Sequence, residues 1–202
     1  MYNSIEEKKI AFNENDNRMK DNKYGAINET PGNLFDYDNN YALAHCISAD
    51  FALGAGIAKT FQARYSTRDE LKQAFPQHNW TGHGYCLITN QNHVINLVTK
   101  RAYYEKPTLA SLREALVSMK EICEERGIYK IAMPRIGCGL DKLDWFDVKK
   151  IIMDLFMGTR FDIRIVYLNE FIKGNILDPD VEKNTYESKH RNIDGNTRYE
   201  FY

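Results

Sequence analysis

The sequence predicts an α/β fold: a mixed, mostly parallel sheet covered by helices on both faces, in three layers. Two features predict it. Short apolar runs alternate along the chain with stretches whose apolar residues recur at three- and four-residue spacing. Strands separated by helical crossovers pair in parallel, and such sheets bury both faces beneath helices. A length of 202 residues fits one core with attached ends better than two full domains.

Residues 1–23 are polar and charged with little periodicity and read as a loose arm, and the folded domain is expected over residues 24–173. Within it, Ala42-Leu-Ala-His-Cys-Ile47 reads as a strand. Ile57, Ala58, Phe61 and Tyr65 then repeat at helical spacing. Tyr85-Cys-Leu-Ile-Thr89 and Val94-Ile-Asn-Leu-Val98 read as neighbouring strands around the turn-prone Asn90-Gln-Asn92. Leu109, Leu112, Leu116, Met119 and Cys123 mark one face of a long helix, with Thr108 as N-cap after Pro107 and Gly127 as its stop. Ile131-Ala-Met133 forms a further strand. Trp145, Val148, Ile151, Ile152, Leu155 and Phe156 mark the last helix, closed by Gly158, and Ile163-Arg-Ile-Val-Tyr-Leu168 the last strand. Residues 174–202 are again polar. They read either as a flexible tail or as an extension that docks Tyr186, Tyr199, Phe201 and Tyr202 on the body or on a partner. No internal repeat is visible.

Composition narrows the function classes. Hydrophobic residues make up 43% and charged residues 27%, as in ordinary globular proteins. The formal net charge of -1 offers no electrostatic basis for sequence-independent binding to nucleic acid or anionic lipid, although local basic patches remain open. No apolar run has the length of a membrane span, and the N-terminus shows no signal-peptide core. Cys46, Cys86, Cys123 and Cys138 lack CxxC spacing, and three of them fall in apolar or helical patterns, so buried free thiols and a cytoplasmic location are expected. A monomer is expected.

Two glycine-rich segments follow strands, where ligand sites of open α/β sheets lie. In Leu53-Gly-Ala-Gly-Ile-Ala58, Gly54 and Gly56 allow close backbone approach, and the helix start directs free N–H groups toward an anion. In Pro134-Arg-Ile-Gly-Cys-Gly-Leu-Asp141, Gly137 and Gly139 are suited to a second close turn around phosphate or ribose. Each segment alone reads equally as a plain turn; together they favour an anion-binding cleft. Neither a phosphate-loop GK[ST] nor a GxGxxG is present. Lys100 ends an apolar strand and is either a solvated lysine beside Arg101 or an amine projecting into the cleft, where its deprotonated form attacks an electrophilic sugar carbon. Asp141 is either a loop or capping carboxylate or a proton-transfer group. His45 reads as a core histidine, and His78, His83 and His93 lack metal-site spacing, so no metal is expected. Ser48 shows no nucleophile-elbow pattern, and Tyr103 and Tyr104 read as ligand-stacking or as packing aromatics.

In order, Asn33-Leu-Phe35, Ala44-His-Cys-Ile-Ser48, Gly54-Ala-Gly-Ile-Ala58, Val98-Thr-Lys-Arg-Ala102 and Met133-Pro-Arg-Ile-Gly-Cys-Gly-Leu-Asp141 resemble a macro domain of the terminal ADP-ribose protein glycohydrolase branch. The resemblance spans residues 27–169 and neither polar end. It implies ADP-ribose or an ADP-ribosylated protein as partner, a macro-domain-like α/β/α fold, and chemistry without a metal or other cofactor. It places Gly54, Ala55, Gly56, Ile57 and Ala58 along the diphosphate and distal ribose, with Gly137, Cys138, Gly139 and Leu140 as the opposing loop. Asn33, Leu34, Ser48, Thr99 and Pro134 complete the implied contacts. The family often has Asp where this chain has Asn33, whose neutral amide still offers an oxygen to the adenine amino group.

Lys100 and Asp141 match the branch's lysine and acidic partner. By resemblance, Lys100 attacks C1 of the distal ribose, displaces a carboxylate and forms a covalent adduct that water resolves, while Asp141 assists proton transfer. Removal of ADP-ribose from glutamate or aspartate and deacetylation of O-acetyl-ADP-ribose follow as implied activities. A phosphatase acting on ADP-ribose 1″-phosphate and a non-catalytic ADP-ribose reader are the alternatives.

Overall fold

The computed structural model describes residues 25–76 and 80–168. The expected arm over 1–23, the tail or docking extension over 174–202, and His78 lie outside the described residues. Six strands form one sheet: β1 (Ile27–Pro31), β2 (Ala42–Ser48), β3 (Tyr85–Thr89), β4 (Val94–Lys100), β5 (Lys130–Met133) and β6 (Asp162–Tyr167). Their spatial order is β1-β6-β5-β2-β4-β3. All neighbours pair in parallel except β3 and β4, the hairpin around residues 90–92. Four helices join the strands: α1 (Gly56–Tyr65), α2 (Thr67–Ala74), α3 (Leu109–Arg126) and α4 (Trp145–Phe156).

The two faces of the sheet follow from side-chain alternation. Ala42 and Ala44 of β2, Ile95 and Leu97 of β4, and Ile131 and Met133 of β5 pack beneath Leu112, Leu116 and Met119 of α3 and Val148 and Ile152 of α4. The intervening residues Leu43, Val94 and Ala132 face Phe61 of α1, while Ile47 and Val98 face Leu71 of α2. Helices therefore cover both faces, as the alternating pattern predicts. The sites of helix start and stop also agree. Thr108 accepts from the Ser111 N–H in a reciprocal capping box, and Gly127 closes α3 at φ +70°.

The sequence pattern does not reveal β1 or α2. β1 is an edge strand with Ile27 as its one large aliphatic, and it ends on Pro31, which has no N–H to donate. α2 buries only Thr67 and Leu71, too few for a periodic stripe. A 3-10 turn over Leu34–Tyr37 follows β1, capped by Asn33. Of the four free cysteines, Cys86 and Cys123 are buried and Cys46 and Cys138 partly so. Among the described residues no helix is long and apolar enough to cross a membrane, and no group of three or more His, Cys, Asp and Glu side chains is placed to hold a metal ion.

His45 is a core residue. Its ring is fully buried and stacks on Phe61 with centroids 3.9 Å apart. The Asn96 amide nitrogen donates to the Leu87 carbonyl (3.3 Å) and the Thr89 hydroxyl (3.0 Å), which turns the Asn96 oxygen toward His45 Nε2 at 3.0 Å. That oxygen requires a proton on Nε2, leaving Nδ1 unprotonated in the neutral ring. Burial pushes the His45 pKa down from 6.5 to about 3, outweighing the upward pull of Asn96. Once unfolded, the ring takes up a proton below about pH 6.5. The unfolded state then binds more protons than the folded one, and stability falls as pH falls from about 6.5 toward 3. Unfolding free energy should accordingly decline between pH 7 and 5, approaching about 1.4 kcal/mol per pH unit. Denaturant unfolding of a His45→Gln variant should give a flatter profile over this range, and identical slopes would refute the assignment.

Candidate functional site

β2 lies between β5 and β4 in the sheet. From β2 the chain passes through α1, α2 and β3 to reach β4 on one side; α3 then carries it back to β5 on the other. Connections leaving a central strand in opposite directions open a crevice at the carboxyl ends of the strands. Three segments converge there: residues 49–55 after β2, 101–107 after β4 and 134–144 after β5.

Lys100 is the last residue of β4. A register shift between Ile47 and Ser48 sets Ser48 opposite it, and its carbonyl accepts from the Ala49 N–H at 2.9 Å. Its Nζ lies 2.5 Å from Asp141 Oδ1, with the two side chains only 14% and 13% exposed. A largely desolvated amine needs such a partner, because the charge loses most of its water. Behind this pair sits Cys46, whose thiol burial pushes up to about 12, with the Asp141 charge acting in the same direction. Gly137 and the Thr99 hydroxyl act the other way on the thiol.

Asp141 is delivered by the second glycine segment. Gly137 has φ +72°, and a Cβ there would come within 2.8 Å of Leu143 Cδ1. The Leu143 N–H donates back to the Gly137 carbonyl at 2.8 Å, closing the loop beneath Cys138, Gly139 and Leu140. Gly139 faces open space at ordinary φ, so the fold itself does not require glycine there. Across the crevice, Gly56 opens α1 at φ +55°, and a Cβ would meet Leu140 Cδ1 at 3.3 Å. The two glycine segments thus face each other, bridged by Leu140. Ala55 caps α1 without a side-chain hydrogen bond, and Gly54, Ala55 and Gly56 are exposed. The first turn of α1, including Ile57 and Ala58, presents its N–H groups with no side-chain acceptor at the cap.

The remaining expected contacts are less uniform. Asn33 Oδ1 accepts from the Phe35 N–H (3.2 Å), and its amide donates to Asp36 (3.3 Å). Leu34 is buried in the core against Leu43, Phe61 and Val166, so its side chain packs inward. Thr99 is buried with its carbonyl accepting from the Ser111 hydroxyl, and Pro134 is partly buried. The Ser48 hydroxyl donates to Asp50 Oδ1 at 2.5 Å. His83, considered above as a metal ligand, pairs with Glu114 at 3.1 Å.

Two carboxylates that sequence reasoning missed shape the crevice walls. Asp50 accepts from Ser48, from the Ala52 N–H (3.1 Å) and from the Tyr103 N–H (2.9 Å), tying residues 49–55 to the turn after β4. It stabilises a stretch in which Phe51 and Leu53 take positive φ, +52° and +46°. Burial raises the Asp50 pKa, but the hydrogen bonds from Ser48, Tyr103 and Ala52 outweigh it and hold the carboxyl below its ordinary value. Glu105 closes the turn itself, accepting from the Arg101 and Ala102 N–H groups and from the Arg101 guanidinium. The signal for Asp50 was its position two residues after Ser48 at a strand end, where Asp commonly organises a turn.

The family model for the macro domain matches residues 44–152, from the middle of β2 into α4. The chain belongs to the macro domain family. This macro domain is 38% identical over 146 residues to a Bos taurus protein named ADP-ribose glycohydrolase OARD1, a match covering 72% of this chain and 93% of that protein. The Homo sapiens protein of the same name is 36% identical over 142 residues, covering 70% of this chain and 91% of its own length. Among solved structures, the macrodomain of Mycobacterium tuberculosis DarG superposes with a TM-score of 0.60 at 26% identity, over 72% of this chain and 99% of that one.

Because Asp50 joins two crevice walls, Asp50→Ala should lower unfolding free energy by about 1–3 kcal/mol. Asp50→Asn, which keeps one acceptor oxygen, should lose less. Denaturant titration decides; an unchanged midpoint in Asp50→Ala would show that the three bonds contribute nothing net.

Proposed function

We propose that this macro domain hydrolyses the ester joining ADP-ribose to a glutamate or aspartate side chain, with Lys100 as nucleophile and Asp141 as its proton partner. The observation that carries this reading is the Lys100–Asp141 pair, 2.5 Å apart and largely desolvated, between two facing glycine segments. The OARD1 relatives, named ADP-ribose glycohydrolases, support hydrolysis at an ADP-ribosyl group as the class of reaction.

The crevice suits the substrate in parts. The diphosphate takes the uncapped N–H groups at the start of α1, from Gly56 to Ala58, where anions gain from the helix dipole. Gly54 and Ala55 line it on that side, and Gly137, Cys138, Gly139 and Leu140 line it on the other. The Asn33 amide oxygen, one lone pair engaged by Phe35, retains a second for the adenine amino group. Ser48, Leu34, Thr99 and Pro134 act from behind, through packing and backbone placement rather than open side chains.

The reaction begins when Asp141 Oδ1 accepts the Nζ proton across the 2.5 Å contact. The Lys100 lone pair then forms the N–C1″ bond as the C1″–O bond to the acceptor carboxylate breaks, and the carboxylate leaves with the electron pair. A carboxylate leaves without protonation, so one acidic partner suffices for this step. The adduct nitrogen then loses a proton to solvent, its lone pair forms the C=N bond as the C1″–O4″ bond breaks, and O4″ takes the proton held on Asp141; water hydrolyses the iminium to release ADP-ribose and restore the amine. O-acetyl-ADP-ribose carrying its acetyl group on the C1″ oxygen presents the same leaving carboxylate and is expected to react.

Release of ADP-ribose from a glutamate-ADP-ribosylated protein, followed beside calorimetric ADP-ribose binding, tests the reading. Wild type should release ADP-ribose; Lys100→Ala should bind it while losing release by at least about 100-fold, and Asp141→Asn should lose about 100- to 10,000-fold. Full release by Lys100→Ala would exclude the lysine mechanism. Tight binding without release by wild type would leave an ADP-ribose reader.

A further inference from the structure

Immediately after Lys100, the chain forms a turn that carries two tyrosines. Tyr103 and Tyr104 are 67% and 69% exposed, the rings meeting edge to face with centroids 5.3 Å apart. Neither packs into the core clusters, which removes a core-packing role and leaves the contact between the two rings. The turn beneath them is nonetheless firmly fixed. Glu105 accepts two backbone N–H groups and the Arg101 guanidinium, the Glu105 N–H donates to the Ala102 carbonyl (3.0 Å), and Asp50 holds the Tyr103 N–H. One residue further on, Lys106 donates to the carbonyl of Leu140, itself 62% exposed. The turn is thereby bonded to both segments that wall the crevice, 49–55 and 134–144.

A soluble surface gains nothing from holding two bare aromatic rings in a fixed place, whereas an interface does: tyrosine gives large contact area at low entropic cost. The charge around the rings narrows the partner. Lys100 is paired with Asp141 and Arg101 with Glu105, which leaves Lys106, exposed and bonded to the Leu140 carbonyl, as the one cation of residues 100–107 without a carboxylate partner, far short of the several that a phosphate backbone engages. The two rings stand on the turn that directly follows Lys100, and that turn is bonded through Lys106 to the segment that carries the exposed Leu140.

We infer that Tyr103 and Tyr104, with Leu140, form a preorganised platform that grips the polypeptide carrying the ADP-ribosyl group, so that this macro domain reads the modified protein segment as well as the nucleotide. The inference rests on the proposed ester substrate for the identity of that polypeptide. The tyrosines take no part in bond making; they hold the leaving side of the substrate against the Lys100 end of the crevice.

The test uses binding, which does not depend on turnover. The full chain is titrated with free ADP-ribose and with a peptide bearing ADP-ribose on a glutamine side chain, an amide in place of the ester. The modified peptide should bind about tenfold more tightly than free ADP-ribose, and Tyr103→Ser/Tyr104→Ser should erase that advantage while leaving ADP-ribose affinity unchanged. An equal loss for both ligands would mean that the tyrosines only shape the crevice, and no loss for either that they are idle; each overturns the platform. The same titration with an ADP-ribosylated single-stranded oligonucleotide decides the occupant: an advantage confined to the oligonucleotide overturns the polypeptide assignment. In a parallel hydrolysis assay the double variant should show a raised KM on modified protein and unchanged kinetics on O-acetyl-ADP-ribose. Absence of all ester hydrolysis by wild type would refute the proposed catalysis and still leave the binding comparison readable.

Discussion

The crevice depends on β2 being held in parallel between β4 and β5. That arrangement brings the ends of three strands together, and the register shift at Ser48 sets the Lys100 backbone beside the segment after β2. Burying most of a lysine amine is unfavourable without a counter-charge. Asp141 supplies it from the loop after β5, which turns at Gly137 with φ +72°, a conformation that a residue with a Cβ rarely adopts. Sheet order, glycine conformation and ion pair are therefore one constraint seen at three scales.

Around this centre the acidic residues divide their labour. Asp141 faces the crevice as an ion-pair partner, whereas Asp50 and Glu105 serve the backbone, each accepting several N–H donors. Such bonds keep strained residues at 51 and 53 and the turn after β4 in single conformations. The site is thus built on loops, but loops bonded to each other: Asp50 links the first to the second, and the Lys106–Leu140 bond links the second to the third. The 62% exposure of Leu140 and its closeness to Gly56 leave it spanning the crevice rather than filling a core.

Much of this arrangement was legible in the residues. Apolar patterning located β2 to β6 and α1, α3 and α4, because each carries several apolar positions that a neighbouring layer covers. The edge strand β1, with Ile27 its single large aliphatic, and α2, which buries Thr67 and Leu71, carry too little of that signal. The ordered motifs around Lys100 and Asp141 pointed to the two residues that the fold brings within 2.5 Å, though 41 positions separate them in the chain. Leu34 shows the limit of motif reasoning: its place in a ligand-side string does not prevent its side chain from turning into the core. Asp50 and Glu105 escaped because their partners are mostly backbone N–H groups, which sequence does not display.

The chemistry proposed for Lys100 leaves a mark that can be captured. Incubation with a glutamate-ADP-ribosylated peptide in the presence of cyanoborohydride reduces an imine to a stable secondary amine, and peptide mapping by mass spectrometry then locates the added ADP-ribosyl mass. The mass should appear on the peptide containing Lys100 and be absent from Lys100→Arg. Turnover of the ester with no adduct at Lys100, or with the adduct on another lysine, would contradict the assignment of Lys100 as the nucleophile.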